Sequence, residues 1–195
     1  YPEKKIKAKD KKGIFYDLQN KLKDCKREDC WLDVIKDKKE KKEIKNKLYA
    51  PEQPEEWKQD PSSWLSNYDI LDVLSQYEET YSNFKFIGPT PIDFDSKPTF
   101  FDEKCVWKEL CNFQLQNQIK KGFNKIGVVF NLDEHDEPGS HWTSLFIDLE
   151  DKFIFYFDSN GTVIPRQMKK LVNRIIKQGK ELYEPIELKF YQNSP

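Results

Sequence analysis

Three short runs constrain what this chain can fold into more than any other feature: KIGVVFNL (125–132), HWTSLFIDL (141–149) and KFIFYF (152–157). Each is rich in β-branched and aromatic residues, the composition of a pleated, half-buried strand. An acidic loop joins the first two and a tight turn at Glu150–Asp151 joins the last two, so they are expected as consecutive strands of one sheet. After Asn160–Gly161 and Pro165, the residues Met168, Leu171, Val172, Ile175 and Ile176 line one helical face up to Gly179, which predicts a helix. Glu187–Tyr191 reads as a fourth strand. Strands mixed with helices, and no internal repeat, predict an α+β fold with a mixed central sheet flanked by helices.

Upstream the signals are mostly helical. In WLSNYDILDVLSQYE, Ser66 is placed to cap a helix over 67–78, Asp69 completes a capping box, and Ile70, Val73, Leu74 and Tyr77 share a face. FKFIGPTPIDF is apolar and broken by Pro89 and Pro91, as in an extended segment entering a turn. A single helix is expected between Glu103 and Lys121, with Gly122 as its C-terminal stop. Three prolines make 51–63 a linker, which divides the chain into a basic helical N-terminal arm (1–50), the linker, and a core (64–195).

The arm carries 17 Lys and Arg against 10 Asp and Glu, while the rest carries 16 against 24, an asymmetry hidden by a net charge of −1. Two helices are expected in it, around Ile14–Leu22 and from Trp31 onward, behind a solvated tail over 1–12. The run KDKKEKKEIKNK has no interleaved aromatic residue and reads as a solvated helix face rather than a nucleic-acid contact.

With 37% hydrophobic and 14% aromatic residues, a wholly disordered chain is excluded. No window approaches 18 apolar residues and the start YPEKKIKAKD is charged, so a soluble chain with no export signal and no membrane insertion is expected. Cys25, Cys30, Cys105 and Cys111 are too few for a disulfide scaffold and are expected as reduced thiols. Their spacing is not that of a zinc knuckle, and no phosphate-binding loop, dinucleotide glycine pattern or H-E-x-x-H signature is present, so no metal or cofactor is expected.

There are two histidines. His141 opens a strand, and Asp158 ends the next. The two stand almost symmetrically about the turn, as cross-strand neighbours. A carboxylate there can accept the imidazole Nδ1–H and leave Nε2 free to take a proton from a nucleophile, although a structural His–Asp pair has the same spacing. His135 lies among Asp133, Glu134, Asp136 and Glu137 and reads as part of a solvated, unanchored loop. No cysteine or serine within the 195 residues has the context of an activated nucleophile, so either the pair is not catalytic or the nucleophile lies beyond residue 195.

The order GSHWTSLFIDL, FIFYFDSNG, an amphipathic helix and a strand ending in FYQNSP, preceded by PSSWLSNYDILDVLSQYE, resembles the ubiquitin-like-protein (SUMO) protease family of cysteine proteases. Within it, the chain is most similar to the polyprotein-processing proteases of large DNA viruses, such as African swine fever virus, and to the adenovirus protease. The resemblance covers about 61–195 and implies a papain-like, adenovirus-protease-like core. It assigns His141 as general base, Asp158 as orienting acid, and Trp64 and Trp142 as aromatic walls of a narrow Gly-Gly channel that excludes any Cβ. The family's oxyanion-hole Gln and nucleophilic Cys then fall past Pro195, so the chain as given is expected to be truncated before the nucleophile. The implied function is a viral cysteine endopeptidase that cuts structural precursors after Gly-Gly-type sites, in virion and host cytoplasm, with no cofactor. DNA or capsid contact would run through the basic arm. The alternatives are a protease acting on host ubiquitin or SUMO conjugates, and a non-catalytic virion protein that keeps the fold as a binding module.

Overall fold

The computed structural model describes residues 7–25, 28–49, 55–60, 62–101 and 104–194. Part of the expected tail (1–6) and all three of the linker's prolines therefore lie outside the described residues. The chain divides into two compact units, residues 1–52 and 53–195.

In the first unit, α1 (Lys11–Lys21) starts at Asp10, whose carboxylate accepts the Gly13 N–H at 2.9 Å. The second helix, α2 (Lys38–Leu48), starts at Asp37, which accepts the Lys39 and Glu40 N–H groups at 2.8 and 3.1 Å. These caps satisfy donors that a helix start leaves unpaired. Neither helix buries a side chain, as the charge pattern of KDKKEKKEIKNK implies. The Trp31 cluster forms a 3-10 segment over Glu28–Val34, in which Leu32 is buried and the Trp31 ring packs edge-on against Phe15.

The second unit contains α3 (Glu56–Gln59), α4 (Asn67–Thr80), β1 (Phe84–Pro91), α5 (Lys108–Cys111), α6 (Leu115–Lys120), β2 (Lys125–Asn131), β3 (Trp142–Asp148), β4 (Phe153–Asp158), α7 (Arg166–Lys180) and β5 (Lys189–Gln192). Its sheet runs β1-β2-β3-β4-β5 in space. The central pairs β2–β3 and β3–β4 are antiparallel and the outer pairs β1–β2 and β4–β5 are parallel, so the sheet is mixed as expected. Period-2 alternation puts Ile126, Val128, Phe130, Leu145, Ile147, Ile154 and Tyr156 in the core. Met168, Leu171, Val172 and Ile175 of α7 complete it, and each such burial contributes about 1.5–3 kcal/mol. α7 is also the crossover that a parallel β4–β5 pair requires. Gly179 is held to glycine where the chain returns from it toward β5, because an added methyl would meet the Ile186 carbonyl oxygen at 2.8 Å.

The Ser66–Asp69 capping box forms as read, with Ser66 N–H donating to Asp69 at 2.8 Å and Asp69 N–H to Ser66 Oγ at 3.2 Å. The single helix expected over 103–121 does not form. It is broken at Asn112–Gln114 into α5 and α6, because α7 supplies partners for the freed backbone. Arg174 donates to the Leu110 and Cys111 carbonyls, while Gln178 donates to the Phe113 carbonyl (3.0 Å) and accepts the Leu115 N–H (2.9 Å). The expectation of reduced thiols is also corrected. Cys25 is bonded to Cys30 and Cys105 to Cys111, at Cα separations of 5.9 and 6.3 Å that a disulfide spans, and no free cysteine remains among the described residues. Among those residues no helix is long and apolar enough to cross a membrane.

Candidate active site

The β3–β4 hairpin builds the site. Asp148 closes its turn by accepting the Glu150 and Asp151 N–H groups, both at 2.9 Å, and Lys152 takes a positive φ of 59°. The turn falls at Glu150–Asp151 as expected, but its centre lies one residue later than a symmetric placement of residues 141 and 158 requires. Asp158 therefore faces Thr143 directly, and His141, one residue before β3, is its diagonal neighbour on the same face. The Leu132 N–H holds the His141 carbonyl at 2.9 Å and fixes that approach.

The pair meets nonetheless: His141 Nε2 lies 2.6 Å from Asp158 Oδ1. The ring atom is the reverse of the one expected. Arriving from two residues along the strand, the imidazole presents its far nitrogen to the carboxylate. Nε2–H donates, and Nδ1 has no hydrogen-bond partner among the described residues. The pair holds a ring in one tautomer with one basic nitrogen open.

Asp158 is completely buried and its carboxylate is fully used. Oδ1 also accepts the Asn160 N–H at 2.9 Å, and Oδ2 accepts the Thr162 hydroxyl. Burial alone raises its pKa, but the hydrogen bonds from His141 and the Asn160 N–H outweigh that and hold it below the usual carboxylate value. Asn193 brackets the same residue's backbone, accepting the Asp158 N–H at 3.0 Å and donating to its carbonyl at 2.7 Å.

Trp64 and Trp142 come together around one cleft of about 550 Å³, with Pro89, Trp107 and Pro138 also in its lining. Trp64 is 75% exposed, and the Trp142 indole N–H donates to the Leu65 carbonyl at 3.0 Å, tying the start of β3 to the entry of α4. His141 and Asp158 are not part of that lining. Trp142, next in sequence to His141, connects the two features.

His135 does not sit on an unanchored loop. Its Nδ1 is 2.6 Å from Asp93 Oδ2, and its N–H donates to Asp93 Oδ1 at 3.0 Å. The hydrogen bond to Asp93 raises its pKa, with smaller contributions from Asp136 and Glu134. The rest of the loop is pinned as well. Asn131 Oδ1 accepts the Asp133 and Ser140 N–H groups at 3.0 and 3.2 Å, and Asp133 accepts the Gly139 N–H at 3.0 Å. Asp93 is forty-two residues upstream, and nothing local marks it as the partner. Asn193 gave no signal either. The Asn160 contact was available, since Asp158 before Ser-Asn-Gly is an Asx turn. No group of three or more His, Cys, Asp or Glu side chains is placed to hold a metal among the described residues.

The chain is similar to known viral proteins. R355 of Acanthamoeba polyphaga mimivirus, whose assigned name is that of a thiol protease, is 33% identical over 123 residues, 63% of this chain and 37% of that protein. Cysteine protease S273R of African swine fever virus is 26% identical over 129 residues, 63% of this chain and 47% of that protein. The chain thus spans less than half the length of either. The crystal structure of the African swine fever virus pS273R protease superposes with a TM-score of 0.54 at 20% identity, covering 96% of this chain and 74% of that one, which shows the shared fold. The family model described as the vaccinia virus I7 processing peptidase matches residues 21–178, and the chain belongs to that viral peptidase family.

Proposed function

We propose that the whole protein is a cysteine endopeptidase of a large DNA virus that cleaves structural precursors after Gly-Gly-type sites, acting in the virion and the host cytoplasm. The observation that carries the reading is the His141–Asp158 hydrogen bond with Nδ1 left open. The four cysteines present are paired, so the nucleophile is taken from the position the family resemblance gives it, after β5 and past residue 195. Its thiol proton passes to His141 Nδ1, and the thiolate attacks the scissile carbonyl. The C–N bond breaks as His141 returns the proton to the leaving amine, and water then hydrolyses the thioester. Asp158 holds the ring and stabilises the imidazolium. The gap between Trp64 and Trp142 rejects residues with a Cβ, which is steric selection for glycine. The cationic surplus of the arm suits an anionic partner, DNA or capsid, and salt-dependent retention of the isolated virion protein on either tests that.

The test uses the full-length protein and a peptide with a central Gly-Gly. His141→Ala should remove turnover, and Asp158→Asn should lower kcat by about 10³–10⁴-fold while leaving a remnant. Wild-type rates in either variant refute the assignment, and cleavage of a folded SUMO or ubiquitin conjugate in preference to the peptide would replace the substrate class.

A further inference from the structure

The cleft of about 550 Å³ is walled in part by the indoles of Trp64, Trp107 and Trp142 and in part by the acidic loop, from which Glu134 and Glu137 both reach its surface. No lysine or arginine is among the described residues that line it. Glycine selection uses the indole walls and leaves these two carboxylates without a role. Glu137 is also held in place. It spends Oε2 on the Glu134 N–H at 2.8 Å, which directs its side chain and leaves the other oxygen available. His135, which follows Glu134 in the loop, already has buried Asp93 as its partner.

Aromatic walls beside two carboxylates, one of them oriented by the loop, suit one ligand chemistry, a cation on an apolar stem. The stem lies along indole and the head takes charge-assisted hydrogen bonds and the ring quadrupole together. A bare metal ion fits less well, since no cluster of three or more ligating side chains is placed to hold one among the described residues. The residues from 51 onward carry 16 basic against 24 acidic side chains, so the field around the cleft favours a basic segment as well.

We propose that this cleft selects substrates with a lysine or arginine near the Gly-Gly segment, its cation seated at Glu134 and Glu137 and its stem against indole surface outside the Trp64–Trp142 gap. This rests on the reading of the Trp64–Trp142 cleft as the path of the substrate. Glu134 and Glu137 are then specificity-determining residues.

The experiment is peptide binding to the 195-residue chain, read by fluorescence anisotropy. Labelled decapeptides carry a central Gly-Gly and one lysine moved through the four residues on either side, with glutamine in its place as reference. At one position or more, lysine should bind about tenfold more tightly than glutamine, and the preference should shrink with added salt. In Glu134→Gln/Glu137→Gln the lysine peptide should fall to the affinity of its glutamine counterpart. In Glu134→Lys/Glu137→Lys a glutamate peptide should become the preferred one, a gain that a misfolded variant cannot produce. Equal affinity for lysine and glutamine at every position, including no measurable binding of either, overturns the proposal, as does a preference that survives both double variants. A parallel series with Ala-Ala replacing Gly-Gly separates the two readings. If Ala-Ala binds as well as Gly-Gly while lysine keeps its advantage, glycine selection fails and the cation site stands.

Discussion

Replacing Asp158 by alanine removes a buried carboxylate on which three donors converge: His141 Nε2–H at 2.6 Å, the Asn160 N–H at 2.9 Å and the Thr162 hydroxyl. Hydrogen bonds to a charged acceptor contribute roughly 1.5–3 kcal/mol each, and desolvation of the carboxylate takes part of that back. All three donors lie near enough to the surface to be rehydrated once the acceptor is gone, since Asn160 and Thr162 are exposed and His141 is partly so. The net cost expected for Asp158→Ala is therefore about 2–4 kcal/mol, well short of the sum of the three bonds. Asp158→Asn keeps an acceptor oxygen and the volume, and should cost about half as much. Equilibrium urea unfolding of the chain, followed by tryptophan fluorescence, measures both. Because the folded pKa of Asp158 lies below its unfolded value, its ionic contribution is present above about pH 4 and is lost as pH falls through the lowered folded value. The wild-type and Asp158→Asn unfolding curves should converge over that acid range. A loss below about 0.5 kcal/mol for Asp158→Ala at neutral pH, which is the range of an ordinary surface substitution, would refute the argument that this carboxylate is a structural hub.

Three further outcomes are expected. His135 should titrate above its ordinary value by NMR, and Asp93→Asn should bring it down; its contribution to stability is full below about pH 6.5 and is lost as pH rises through the raised folded value, so an unshifted His135 would show that the pair does not form in solution. Gly139→Ala should lower stability by about 1–3 kcal/mol, because Gly139 has φ of 95° and its added methyl would lie 2.7 Å from Asn131 Nδ2; an unchanged urea midpoint contradicts this. In the full-length enzyme, Trp142→Ala should reduce rate and admit alanine in place of glycine in the substrate, read as the ratio of kcat/KM for the two peptides.

What could be read in advance was local. The alternation in KIGVVFNL and KFIFYF, the Ser66–Asp69 box and the apolar face of α7 each depend on a few neighbouring residues, and each formed where its pattern lay. What could not be read depends on partners far along the chain. Arg174 and Gln178 break the helix at Asn112–Gln114 from more than sixty residues away, and Asp93 anchors His135 across forty-two. The His141–Asp158 encounter was legible because a hairpin makes it local. The turn lies at Glu150–Asp151 as read, but residues 141 and 158 are not symmetric about it: Asp158 faces Thr143, so the pair meets on a diagonal. That diagonal is also why the ring nitrogen was misassigned.

Whether His141 can act as a base depends on which of its imidazole nitrogens Asp158 holds. Nitrogen-15 chemical shifts of His141, assigned with the aid of His141→Gln and recorded at about pH 8, report it directly. The structure predicts a protonated Nε2 coupled to Asp158 and an unprotonated Nδ1, with that pattern disturbed in Asp158→Asn. A protonated Nδ1, or shifts indifferent to Asp158, would contradict the claim that this pair presents a base.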